Sequence, residues 1–322
     1  MFWFVEILLL KGQSSLKIND ITKKNIWEFL MVKFPIFFPL SYIFLLNQYP
    51  NYESYIIFIT LLILAEPHFG ATWPFLLYKK NYAVIKERNF FYIFIPIFIC
   101  LFSIFLFYYS KTSFYFIFLV ANIYHVTKQS VGISKLYIKN VEEKSFQSIT
   151  IYCFAILFFF IGILRFYGPL QNTTLISIIS LSLIIITLIV YVSVYKVNEN
   201  ILILLTGILI FFPMCFVSKP IHGIIMGVTM HYTQYLYLTY KVYKSRRREN
   251  EQSLSIKKNY YLIIIVFYGV IMSLLATSGK SLNIENLILI PIIGQFLHFY
   301  IDSLLWKFSN EHHRNVTLKF LK

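Results

Sequence analysis

Charge is the scarcest ingredient of this 322-residue chain. Only 13% of its residues are Asp, Glu, Lys or Arg, where soluble domains carry about 25%. That shortage excludes an ordinary soluble globular domain. Acidic residues are the rarer sign, 14 against 29 Lys and Arg, for a net charge of +15. Cysteine is limited to Cys100, Cys153 and Cys215, each inside an apolar run and none in CxxC spacing. A disulfide framework and a cysteine zinc site are thereby excluded, and the three read as core residues. The opening run MFWFVEILLL lacks a basic leader and a small-residue cleavage site, so it does not read as a signal peptide. No soluble domain, long linker or internal repeat is visible.

What is present is apolar: 58% of the residues are hydrophobic. The runs are long enough to cross a bilayer, which takes roughly 20 residues. Ten candidate spans follow, at 27–46, 55–78, 90–109, 113–134, 146–167, 174–195, 201–218, 221–243, 259–277 and 285–306. The expected fold is therefore an all-α, polytopic membrane helix bundle, a single transmembrane domain over 1–322. Residues 1–26 form an N-terminal interfacial segment and 307–322 a basic tail. The expected location is a bacterial inner membrane, with membrane lipids as surroundings.

A surplus of cations in a soluble protein would point to nucleic acid. Here topology explains it, and no nucleic-acid partner is expected. Lys11, Lys17, Lys23 and Lys24 precede the first span, and Lys79, Lys80, Lys86 and Arg88 follow the second. Lys135, Lys139 and Lys144 follow the fourth, and the run Lys244 to Arg248 (KSRRR) follows the eighth. The intervening loops are nearly free of cations. The positive-inside rule then places both termini in the cytoplasm, with KSRRR as a topology anchor, and Trp27, Trp73 and Trp306 fall near the same interface.

This topology sets the depth of each intramembrane histidine. His68, His125, His231 and His298 lie on the even-numbered spans, about eight to twelve residues before the cytoplasmic ends. At 1.5 Å per residue they agree to about one helical turn. The odd-numbered spans carry none. Polar groups in hydrocarbon cost several kcal/mol, in round terms, unless partnered, and a metal is the simplest partner for four imidazoles in one layer. These four are the candidate ligands.

Each histidine helix carries further polar residues. Asn122, His125, Lys128 and Gln129 share one face, as do Gln295, His298 and Asp302. Thr72 lies one turn after His68, and Gln234 and Tyr235 follow His231. Ionisable groups inside a membrane are functional by default. Asp302, Lys128, Gln129 and Tyr235 are the candidate catalytic groups, with Asp302 orienting an imidazole or completing the ligand set. Glu66 lies about 200° from His68 on an ideal helix and joins the site only if Pro67 distorts the turn. Lys33 and Arg165 sit near span ends, where snorkelling suffices. His222 is excluded by its depth, and His312 and His313 read as solvated residues of the tail. Gly223 and Gly227 form GxxxG, and Gly70, Gly132 and Gly294 also offer close helix contacts.

Imidazole ligands with one possible carboxylate suit iron, zinc or copper. A thiolate-free site in hydrocarbon suits non-haem iron acting with oxygen on an apolar, lipid-like substrate. HxxxH, HxxHH and HExxH are absent, so the histidine-box desaturases and hydroxylases are not matched. The PH-x-G/A turn of Pro67, His68, Gly70 and Ala71, the lone His125 in a middle helix and His231 in MHYTQYL resemble the Brp/Blh-type membrane carotene dioxygenases. That resemblance implies an iron site of four membrane histidines and an isoprenoid or carotenoid substrate. The late helix departs from it: Tyr235 stands where the family has a second histidine, and His298 comes from the last helix instead. Three other readings stay open: a proton- or ion-coupled transporter using the His/Asp/Lys layer, a bis-histidine haem protein, and a lipid transferase with a histidine base.

Overall fold

The computed structural model describes residues 26–170, 172–250, 260–281, 284 and 286–321. The cations Lys11, Lys17, Lys23 and Lys24 lie outside the described residues. No strand occurs among those described, and the elements are helices throughout. They are α1 (Ile26–Lys33 and Phe37–Gln48, bent by 67° between them), α2 (Pro50–Leu76) and α3 (Phe90–Tyr109). Then come α4 (Lys111–Tyr137), α5 (Val141–Phe166), α6 (Thr173–Tyr195), α7 (Asn200–Leu209) and α8 (Pro220–Asn250). The last are α9 (Tyr260–Ser281), α10 (Asn286–Leu305) and the short α11 (Glu311–Val316). Among the described residues six helices are long and apolar enough to cross a membrane, or seven with the bent α1 counted as one crossing. Each apolar run of the sequence coincides with helix, and two of those runs are broken.

The second break corrects the seventh expected span. In place of one helix over 201–218, α7 ends at Leu209 and a 3-10 turn follows at Phe212–Cys215. Pro213 has no N–H to continue an α-helical ladder. The exposed carbonyls need donors, because apolar surroundings offer none. Arg165 supplies them, donating to the Met214 carbonyl and, at 2.8 Å, to that of Val217. Arg165 is thus a cap for a broken segment, where sequence alone reads only a snorkelling side chain.

The chain forms two compact units, and the three boundaries between them, after Phe44, His125 and Gln234, all fall inside helices. One comprises residues 26–44 and Val126–Gln234. Its centre is the approach of α8 to the α7 break: a Cβ built on Gly227 would lie 1.8 Å from the Ile210 carbonyl oxygen, and one on Gly223 3.3 Å from Met214. The GxxxG spacing therefore serves backbone contact. Gly132 does not, with nothing within 4 Å of a Cβ there. The buried Glu143 in the first turn of α5 accepts from the Tyr191 hydroxyl and, at 2.8 Å, from Asn200. Lys33 pairs with Glu199 and does not merely reach for the interface. Tyr42 and His222 bond at 2.8 Å, both buried.

The other unit comprises Leu45–His125 and 235–321. Here α9 is wedged against α2 and α10 through small residues. Tyr268 of α9 lies 3.0 Å from a Cβ on Gly70 and its hydroxyl 2.5 Å from one on Gly294, while Pro67 lies 2.8 Å from one on Gly269. Pro67 also explains the course of α2. Without its N–H the ladder cannot keep the four-residue spacing, and Leu61–Ala65 form a π-helical turn in which the Glu66 N–H reaches back to Leu61. The added residue rotates the next turn, so that Glu66, Pro67, His68, Phe69 and Gly70 are all buried.

Candidate metal centre

Three of the four layer histidines meet inside the second unit. His68, His125 and His298 each offer a ring nitrogen, and these nitrogens all lie within 4.8 Å of one another. His125 and His298 are closest, with their Nε2 atoms 3.1 Å apart. Nitrogens sharing one ion at about 2 Å would be separated by roughly 3–4 Å, so the pocket is near the required size. His68 and His298 are fully buried and His125 is 6% exposed. Phe299 stacks on His125 at 4.5 Å, and Phe69 meets His298 edge-on at 5.0 Å, so aromatic rings wall the group from solvent.

Sequence dictates how each ligand is presented. On α10 the buried positions Pro291, Gly294, His298, Asp302 and Leu305 recur every three or four residues and form one face. On α4, Asn122 and His125 are buried one turn apart while Tyr124 is exposed. On α2 the π turn brings His68 inward beside Phe69.

The surrounding hydrogen bonds fix the His298 tautomer. Thr72 Oγ1 donates to Asp302 Oδ1 at 2.8 Å and lies 2.6 Å from His298 Nδ1. Having spent its only hydrogen on Asp302, the threonine oxygen must accept from His298 Nδ1–H. Nε2 of His298 is then unprotonated, with its lone pair turned toward His125. Tyr235 adds a second donor to Asp302 Oδ1 at 2.7 Å, and Asp302 Oδ2 is 3.8 Å from His298 Nε2. A histidine ligand backed through its other nitrogen is the usual device for orienting a metal-binding imidazole. Thr72 is the residue whose role the sequence leaves unread; its spacing from His68 is the only signal for it. On the histidine helices α2 and α4, Glu66 Oε2 and Asn122 Oδ1 are among the buried acceptors that lack a hydrogen bond among the described residues. Such atoms are uncommon in native interiors and call for an unseen ion or water. Glu66 Oε1 accepts from Gln295 at 3.1 Å.

The remaining candidates are placed differently. Asp302 and Tyr235 belong to the network. Lys128 is exposed and Gln129 half-buried, on the part of α4 assigned to the other unit. His231, fully buried on α8, is also in that unit and is not one of the group of three.

Thr72→Val should loosen metal binding roughly 10–100-fold, the usual cost of losing an outer-shell partner, with Thr72→Ser close to wild type. Competition against a chelator measures it. Unchanged affinity in Thr72→Val would remove the hydroxyl from the site.

No family model, curated protein or solved structure matches this chain.

Proposed function

We propose that this is a membrane-embedded metalloenzyme whose His68, His125 and His298 hold a transition-metal ion for oxidative chemistry on an apolar, lipid-like substrate. The observation that carries the reading is the cluster itself: three buried imidazoles each turn a ring nitrogen to within 4.8 Å of the others, with His298 held at its second nitrogen by Thr72 at 2.6 Å. Three imidazoles leave coordination positions open, the arrangement of catalytic rather than structural sites. Non-haem iron is the ion that suits this thiolate-free set, and when bound it would supply oxygen activation.

The chain's own groups have definite tasks. Thr72 and Asp302 lock the His298 tautomer, and Tyr235 holds the Asp302 carboxylate in place. Phe69 and Phe299 keep water from the histidines. Both oxygen and an isoprenoid or carotenoid substrate concentrate in the bilayer, and a dry wall protects reactive chemistry. In this reading the ten apolar runs cross or enter a cell membrane, with both termini in the cytoplasm.

A second reading is a proton- or ion-coupled transporter, favoured by the buried carboxyl of Glu66 beside Gln295 and two residues from His68. Metal analysis of the purified protein decides between them. The enzyme reading expects near-stoichiometric iron and no haem absorption band. Preparations that never contain a transition metal, and do not take one up, would overturn it.

A further inference from the structure

The second unit carries another concentration of cationic side chains, at the ends of α2, α8 and α10 remote from the three histidines in sequence. Arg246, in the last turns of α8, is only 5% exposed. Its guanidinium lies 4.5 Å from the Phe75 ring centre and 4.3 Å from that of Tyr78. Nε donates to the Val316 carbonyl at 2.9 Å and a terminal nitrogen to the Thr317 hydroxyl at 2.8 Å. The KSRRR run is therefore not a uniformly solvated anchor, because one of its arginines pins the chain after α10. The tail histidines are not solvated either. His312 Nε2 bonds Asn81 Oδ1 at 2.9 Å, and His313 is 3% exposed.

No carboxylate among the described residues pairs with Arg246 or Arg88. Buried charges are ordinarily paired, and stacking on aromatic faces leaves the charge itself uncompensated. His313 Nδ1 is buried with no hydrogen-bond partner among the described residues. Burial and the charges of His312, Arg246 and Arg88 push the His313 imidazole down to about 4, and burial and Arg246 also lower His312. His312 and His313 have ring centres 5.3 Å apart, Arg246 is buried on the helix end they pack beside, and the exposed Arg88 is near enough to act on His313; the missing component is an anion.

We propose that Arg88, Arg246, His312 and His313 form a binding site for a phosphate group. Arginine presents a fork of donors matched to phosphate oxygens, and a phosphate offers enough acceptors for several cations at once. The cluster sits at the helix ends that the charge pattern assigns to the cytoplasmic interface, where lipid phosphates are abundant. Free phosphate would satisfy the same chemistry. A bound anion would favour the protonated imidazoles, so affinity should rise as pH falls toward the lowered range of His312 and His313.

The test uses the full chain in detergent with two probes, inorganic phosphate and phosphatidylglycerol, and phosphatidylcholine as reference. Melting temperature and native mass spectrometry report binding. Phosphatidylglycerol is expected to bind more tightly than phosphatidylcholine and to raise the melting temperature. Arg88→Gln, whose side chain takes no part in the tail's hydrogen bonds, should weaken that binding roughly fivefold, in line with about 1 kcal/mol per cation at a membrane surface. Wild-type affinity should increase as pH falls from neutrality toward the His313 value of about 4, because the bound anion favours the protonated imidazole. Inorganic phosphate binding with the same Arg88 dependence would assign the site to free phosphate. Binding by neither probe, or anionic-lipid binding untouched by Arg88→Gln and insensitive to pH, would overturn the proposal.

Discussion

His298→Ala is expected to release the metal while the helices still assemble. The side chain is fully buried, and its two nitrogens face His125 and Thr72. Loss of an outer-shell partner alone costs roughly 10–100-fold in metal affinity, so loss of a ligand should exceed about 100-fold. Elemental analysis of purified protein, with size-exclusion and circular dichroism as checks on folding, reads the result. His222→Gln is the control: it alters another buried histidine, one bonded to Tyr42 in the other unit, and should keep the metal. Asp302→Asn should fall between the two, since the amide still accepts from Thr72 and Tyr235 but loses the charge. Full occupancy in His298→Ala would leave the three imidazoles as a hydrogen-bonded polar layer without a metal.

Among the described glycines, Gly227→Ala should be the most damaging alanine substitution. Its added Cβ would stand 1.8 Å from the Ile210 carbonyl oxygen, and the nearby Ile210 atoms are backbone that cannot rotate aside. Overpacking a well-filled interior costs about 1–3 kcal/mol even where side chains can shift, so a loss of about 3 kcal/mol or more is expected here. Thermal unfolding in detergent measures it. Gly132→Ala, with open space around its Cβ, should be neutral or slightly stabilising, as helix propensity favours alanine by about 1 kcal/mol. Equal stability of Gly227→Ala and wild type would mean that α8 does not rest on the α7 break.

The helices were legible because a single physical requirement writes them into the sequence. Segments without water must satisfy their own backbone, so apolar runs of sufficient length become helices. Runs such as Thr173–Tyr195 and Phe90–Tyr109 needed no other information. The three meeting histidines were legible for a related reason. Residues at one depth on helices of one direction share a layer, and depth follows from position along a helix.

What shared depth does not settle is which side chains in a layer touch. That depends on helix rotation and on how closely backbones approach. Asp302 and Tyr235 hydrogen-bond directly and Thr72 bonds to both, although they lie 67 residues apart in the chain. Lys128, one turn from His125 and nominally on its face, is exposed. Burial of Glu66 with His68 required the π turn that Pro67 induces. Arg165 became a backbone cap only because Pro213 broke the segment it reaches.

Composition and spacing by themselves thus determined a helical, membrane-type chain and named the four histidines of which three meet, because hydrophobic length and helical rise are local properties. Tertiary structure alone decided that His68, His125 and His298 are the group of three, that Thr72 orients one of them, and that Arg246 is buried. Those outcomes depend on contacts between distant segments, where a glycine's missing Cβ or one extra residue in a helical turn decides which face of a helix meets its neighbour.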